Sequence, residues 1–140
     1  GQMTACGRLA AVIAVALSSA HGFAISCEPG PIGADALRVV GRSFVVDWRV
    51  EPAPLRLGQF FAVVVSACER AGQPVTSLKV DATMPAHRHG MNYAPTVTSE
   101  AGGRFRASGL LLHMPGRWEF TFNLGGDSTR EMLRSAVELK

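Results

Sequence analysis

The chain has 140 residues, 47% of them hydrophobic, with 14 Lys and Arg against 11 Asp and Glu and a formal net charge of +3. This is one domain's worth, with enough apolar side chains to close a single core, so no second domain is needed. The basic residues are scattered singly (Arg38, Arg42, Arg49, Arg56, Arg104, Arg106) and form no stripe, which argues against a nucleic-acid interface.

The first element is an apolar, alanine-rich run from Ala10 to Ala20 behind a lone Arg8, the layout of a secretory signal peptide. Gly22-Phe23-Ala24 supplies a cleavage site, giving a leader over residues 1–24 and one domain over 25–140; cleavage after Ala20 is the alternative. The run is too short for a permanent membrane helix, and no later segment is long and apolar enough to cross. An exported, periplasmic protein with no transmembrane segment after cleavage is expected. Cys6 leaves with the leader, so Cys27 and Cys68 remain as a pair in an oxidising compartment, and a Cys27–Cys68 disulfide is expected. Closing a loop of about 40 residues, it would contribute about 4 kcal/mol in the chain-entropy treatment. Lipidation of Cys27 is the competing reading. The usual leucine three residues before the cysteine is absent, and Cys68 would be left as a free thiol.

Beyond the leader, short segments rich in β-branched and aromatic residues alternate with Gly/Pro punctuation. Strands are predicted at Leu37–Val50, Gln59–Cys68, Ser77–Met84, Thr96–Ser99, Gly103–Leu112, Arg117–Leu124 and Ser135–Leu139. In Arg117–Leu124 the residues Trp118, Phe120, Phe122 and Leu124 share one face, as in a half-buried antiparallel strand. Gln59–Val65 is apolar on both faces, which suits a central strand. Asp127–Arg134 is predicted to form a helical turn capped by Asp127 or Ser128. The pattern as a whole predicts an all-β fold, an immunoglobulin-like (cupredoxin-like) antiparallel β-sandwich of about seven strands.

The chemistry concentrates in Met84-Pro85-Ala86-His87-Arg88-His89-Gly90-Met91 and in His113-Met114. After the leader the only histidines are His87, His89 and His113, and each lies within three residues of a methionine. Methionine used as core filler would scatter, yet only Met132 of the mature methionines falls outside these two segments. His87, His89 and Met91 alternate with Arg88 and Gly90, so extended backbone would send their side chains to one side. Pro85 restricts Met84 in a way that can turn it towards the same point. Antiparallel strands can bring both segments to one pole of a sandwich. His113 and Met114, as strand neighbours, cannot both project inward without a bend.

Imidazole with thioether is a donor set for copper, and the soft sulfur favours Cu(I), with Cu(II) open to the histidines; zinc more often recruits thiolate or carboxylate. A blue-copper centre needs a cysteine thiolate, and Cys68 is assigned to the disulfide. Asp81 is a candidate to orient a ligand histidine, and Tyr93 and Trp118 are candidates to wall the site. Ser66, Ser77 and Ser108 lie in no nucleophile motif and no Gly-rich phosphate loop occurs, so hydrolase and nucleotide-binding readings lack support.

Met84–Met91, followed by Gly103-Arg-Phe-Arg-Ala-Ser-Gly109 and His113-Met-Pro-Gly-Arg-Trp-Glu-Phe120, resembles the YtkA-like/FixH-like domains of exported bacterial proteins. The resemblance implies an immunoglobulin-like sandwich, copper handling through Met84, His87, His89, Met91, His113 and Met114, and in some members assembly of respiratory copper oxidases. FixH-type members usually retain a membrane-embedded N-terminal helix, whereas the run here reads as cleavable.

Three functions are therefore expected in order. The first is a periplasmic copper chaperone or buffer exchanging the ion with a donor or acceptor protein. Second comes a metal-free interaction module. The third, an oxidase-like enzyme with an N-terminal histidine brace, requires cleavage after Ala20 to expose His21.

Overall fold

The computed structural model describes residues 1–3, 16 and 27–140. The leader expected at 1–24, with its cleavage sites, Cys6 and His21, lies almost entirely outside the described residues. Among these residues there are nine strands and no helix: β1 (Leu37–Val40), β2 (Phe44–Glu51), β3 (Phe61–Glu69), β4 (Ser77–Met84), β5 (His89–Gly90), β6 (Thr96–Ser99), β7 (Arg104–Leu110), β8 (Gly116–Gly125) and β9 (Arg130–Leu139). They form two antiparallel sheets, β1-β2-β3-β7-β6 and β5-β4-β8-β9, packed as a sandwich.

The core lies between the sheets and follows the two-residue side-chain period of each strand. From β4 come Leu78, Val80, Ala82 and Met84, and from β8 the predicted face of Trp118, Phe120, Phe122 and Leu124, all buried. Phe44, Val46 and Trp48 of β2 and Val63, Val65 and Ala67 of β3 meet them from the other sheet. Trp48 packs against Phe120 and Phe122, with ring centroids 4.8 and 5.5 Å apart. Among the described residues, every member of this core falls within 27–140.

The outer face of β3 is also covered, which accounts for its apolar residues on both sides. Cys27 is bonded to Cys68, as expected, with Cα atoms 6.1 Å apart. From there the N-terminal segment runs over the five-stranded sheet. The Pro31 carbonyl accepts a hydrogen bond from Arg104, and the Ile32 carbonyl accepts one from Arg49 Nε at 2.5 Å.

Two expectations are corrected. The single strand Leu37–Val50 is a hairpin, β1–β2, because the Gly41 N–H donates to the Phe44 carbonyl at 2.8 Å and Val40 pairs with Val45. The helical turn at Asp127–Arg134 does not form. Gly126 N–H donates to the Thr129 carbonyl at 2.8 Å, closing a tight reversal that sends Arg130 directly into β9. There Leu133 pairs with Phe122 and is buried, and the Glu131 carboxylate accepts the backbone N–H groups of Arg42, Ser43 and Phe44. These tertiary contacts outweigh a helical propensity spread over only eight residues.

Candidate metal centre

Three connections build one pole of the sandwich: residues 52–60 between β2 and β3, 85–88 between β4 and β5, and 111–115 between β7 and β8. The first and third are tied together, since Gly58 N–H donates to the Leu112 carbonyl at 2.9 Å.

His87 stands on the second, His89 on β5 directly after it, and His113 on the third. Met84 and His89 are direct partners across the β4–β5 ladder, so both side chains leave on the inner face, one from the core and one from the edge strand. His87 is not in extended backbone as expected. Residues 85–88 form a turn in which His87 N–H donates to the Met84 carbonyl at 3.1 Å and Arg88 has φ of 53°. That reversal nevertheless leaves the His87 and His89 rings 6.0 Å apart. The His89 ring lies 6.4 Å from that of His113, so the two sequence segments do meet at one pole.

His113 follows the end of β7 and is half-buried. Its ring stands edge-on to Trp118 at 5.7 Å, and Trp118 Nε1 donates to the Met114 carbonyl at 2.9 Å. The chain bends at Met114, the departure from strand geometry that lets this neighbour of His113 also pack against the core. His113 Nδ1 is buried and has no hydrogen-bond partner. Such an atom carries a desolvation cost unless it gains a proton donor or an ion.

The methionines divide. Met91 and Met114 are partly buried at the margin of the core, beside the histidine segments. Met84 is 2% exposed and belongs to the core, where a Cβ on Gly116 would meet its Cε at 3.0 Å. Its observed place is in the core, directly across the ladder from His89.

The expected supporting residues also divide. Trp118 is both core and wall of His113. Asp81 does not orient a histidine: it lies on the outer face of β4, opposite the inward Ala82 and Met84, and its Oδ1 accepts the Ala82 N–H at 2.8 Å. Tyr93 is exposed and packs against Phe60, centroids 5.1 Å apart, and with Met91 and Asp81 it lines a groove of about 590 Å³. Phe60, expected inside the strand Gln59–Cys68, instead lies exposed just before β3, and the Gly58–Leu112 link gave no periodic signal because it depends on contact between distant connections.

At the same end Glu51 is bonded to Arg49 at 3.1 Å and to Arg106 at 3.3 Å. The Arg49 hydrogen bond, reinforced by the charge of Arg106, holds its carboxyl below the usual carboxylate range.

Among the described residues no three His, Cys, Asp or Glu side chains converge on one ion position. The imidazoles of His87, His89 and His113, whose successive ring centres are 6.0 and 6.4 Å apart, would therefore have to close on an ion, with thioether sulfur completing its shell. Two imidazoles sharing an ion at about 2.0 Å each have ring centres about 5–6 Å apart, close to the spacings found. The donors present fit a soft, singly charged ion better than zinc.

No protein-family model and no curated protein matches the sequence. Among solved structures, the crystal structure of a DUF4426 family protein from Pseudomonas aeruginosa is similar, with a TM-score of 0.52 and 11% sequence identity over 74% of this chain and 93% of that one. At that identity the likeness concerns the fold, and it supports the β-sandwich. No helix among the described residues is long and apolar enough to cross a membrane.

Proposed function

We propose that this is an exported bacterial copper-binding protein, a chaperone or buffer that carries Cu(I) as cargo and passes it to a partner by ligand exchange. The observation that carries the reading is the meeting of His89 with His113 at 6.4 Å, from segments more than twenty residues apart, with the buried Nδ1 of His113 left without a partner. His87, His89 and His113 are the imidazole ligands in this reading, with Met91 and Met114 supplying thioether. Thioether needs no deprotonation, so it keeps the site competent for Cu(I) when histidines protonate. The resemblance of Met84–Met91 and His113–Phe120 to YtkA-like/FixH-like domains supports the same cargo, and an oxidase assembly system is one acceptor consistent with it.

Titration of residues 27–140 with Cu(I) against a competing chelator, with Cu(II) and Zn(II) alongside, tests this. Stoichiometric Cu(I) binding that weakens at least about tenfold in His87→Ala/His89→Ala is expected, the loss of even one ligand being worth about 1.4 kcal/mol or more. Absence of binding in both copper oxidation states would sink it.

A second reading, a metal-free interaction module, draws on the absence of any three-residue His/Cys/Asp/Glu cluster among the described residues and on the exposed Phe60–Tyr93 pair. Equilibrium dialysis without retained copper would favour it. The histidine-brace enzyme rests on His21, outside the described residues.

A further inference from the structure

Large apolar side chains are exposed at the pole that bears the histidines. Leu57 is 47% exposed, Phe60 54% and Tyr93 49%. They are not independent accidents of three loops. Phe60 and Tyr93 touch edge-on at 5.1 Å, and Gly58, between Leu57 and Phe60, is bonded to Leu112, the neighbour of His113.

The connections that carry them hold basic charge only. Residues 52–60, 85–88, 91–95 and 111–115 contain Arg56 and Arg88 and no carboxylate. Both arginines are exposed, and neither enters an ion pair among the described residues. Of the acids near them, Glu51 is already held by Arg49 and Arg106, and Asp81, which shares a groove with Tyr93 and Lys79, accepts the Ala82 N–H. Asp35 and Glu138 line a pocket with Leu37, Val137 and Leu55, the last on the same connection as Leu57.

We infer that this pole docks on a bilayer surface bearing anionic phospholipid headgroups, with Leu57, Phe60 and Tyr93 entering the interface and Arg56 and Arg88 meeting the phosphates. Tyr and Phe at loop tips match the water–lipid boundary, where an apolar ring is buried and a polar tip stays wet. Arginines beside them add attraction to anionic headgroups that falls with salt. Neither contribution alone gives stable attachment, and the two together give reversible association. The histidine cluster would then face the membrane. The inference does not depend on copper, and its test contains none.

The test is co-sedimentation of residues 27–140 with vesicles of phosphatidylcholine and phosphatidylglycerol in equal parts, and with vesicles of phosphatidylcholine alone. Partitioning to the mixed vesicles is expected to be about tenfold or more stronger than to the neutral ones, and to fall in high salt. Leu57→Ser/Phe60→Ser/Tyr93→Ser should lose it, while Met132→Ser, removing an exposed apolar residue of β9, should keep it. Unchanged thermal midpoints would show that both variants fold, and single substitutions serve if the triple variant does not. Failure of the unsubstituted protein to partition, or equal loss with Met132→Ser, would overturn the inference and leave the patch to a protein partner.

Discussion

The imidazole of His113 stands edge-on to the indole of Trp118, ring centroids 5.7 Å apart and planes at 76°. The same indole donates to the Met114 carbonyl, so one buried residue fixes both halves of the His113-Met114 pair. Copper bound at His113 would therefore sit within quenching range of Trp118. In a Trp48→Phe variant, which leaves Trp118 as the sole tryptophan, emission should fall stoichiometrically on addition of copper. His113→Ala should remove most of that quenching. Undiminished quenching in His113→Ala would place the ion elsewhere.

Met84 offers a sharper test of the ligand set, because it is the core residue directly opposite His89. Met84→Leu conserves volume and should change stability by less than about 1.5 kcal/mol, with Cu(I) affinity unchanged. Met84→Ala should cost about 2–5 kcal/mol through the cavity it leaves. Met91→Leu and Met114→Leu should weaken Cu(I) with little effect on folding. Copper binding weakened as much by Met84→Leu as by these two would return Met84 to the ligands.

Much of this was legible in the sequence, and the exceptions share a cause. The face of Trp118, Phe120, Phe122 and Leu124 followed from period alone, since alternation is local and β8 keeps it throughout. The disulfide followed from the two cysteines, Cys27 and Cys68, that lie beyond the expected leader. What period could not show was where the chain reverses. Gly41-Arg42-Ser43 and Gly126–Thr129 are turns closed by single backbone hydrogen bonds, and the strand character of β9 rests on contacts to β8 and to the β1–β2 turn. In the site, the meeting of His89 with His113 was predicted from topology. The inward burial of Met84 and the outward face of Asp81 were open to the same reasoning, since Leu78, Val80, Ala82 and Met84 alternate with Ser77, Lys79, Asp81 and Thr83 along β4.

The disulfide should be a substantial part of the stability. Cys27 and Cys68 enclose a separation of 41 residues. Urea unfolding of Cys27→Ser/Cys68→Ser is expected to show a loss of about 4 kcal/mol, if constraint of the unfolded chain dominates. A much smaller loss would mean that the Arg49 and Arg104 bonds to the Ile32 and Pro31 carbonyls hold the N-terminal segment in place without it.

Glu51 gives a pH dependence whose sign is fixed. Its folded carboxyl titrates below the unfolded value, chiefly through the Arg49 hydrogen bond. The folded state therefore gains stability above the unfolded pKa and loses it as pH falls through the folded one. The side chain is well exposed, so the effect should be small and salt-sensitive. Thermal midpoints of Glu51→Gln should lie below those of the unsubstituted protein at neutral pH and converge with them in acid. A gap that persists unchanged in acid would assign the loss to packing.

Glu131 couples the two sheets through the backbone. Its Oε2 accepts Arg42 N–H at 2.9 Å, and its Oε1 accepts those of Ser43 and Phe44 at 3.2 Å each. Removing an acceptor of several partly buried donors costs about 1–3 kcal/mol, so Glu131→Ala should lower the urea midpoint by that measure and Glu131→Gln by less. Gly41 is bound up with the same contact, because a Cβ there would run into the Glu131 carboxylate and Leu133. Gly41→Ala should therefore destabilise the protein, but less so in a Glu131→Ala background, where part of the obstruction is gone. A double-mutant cycle reads this as a non-additive term of about 0.5 kcal/mol or more. Strict additivity would mean that Leu133 alone obstructs position 41, and that the Glu131 carboxylate caps the turn without setting its shape.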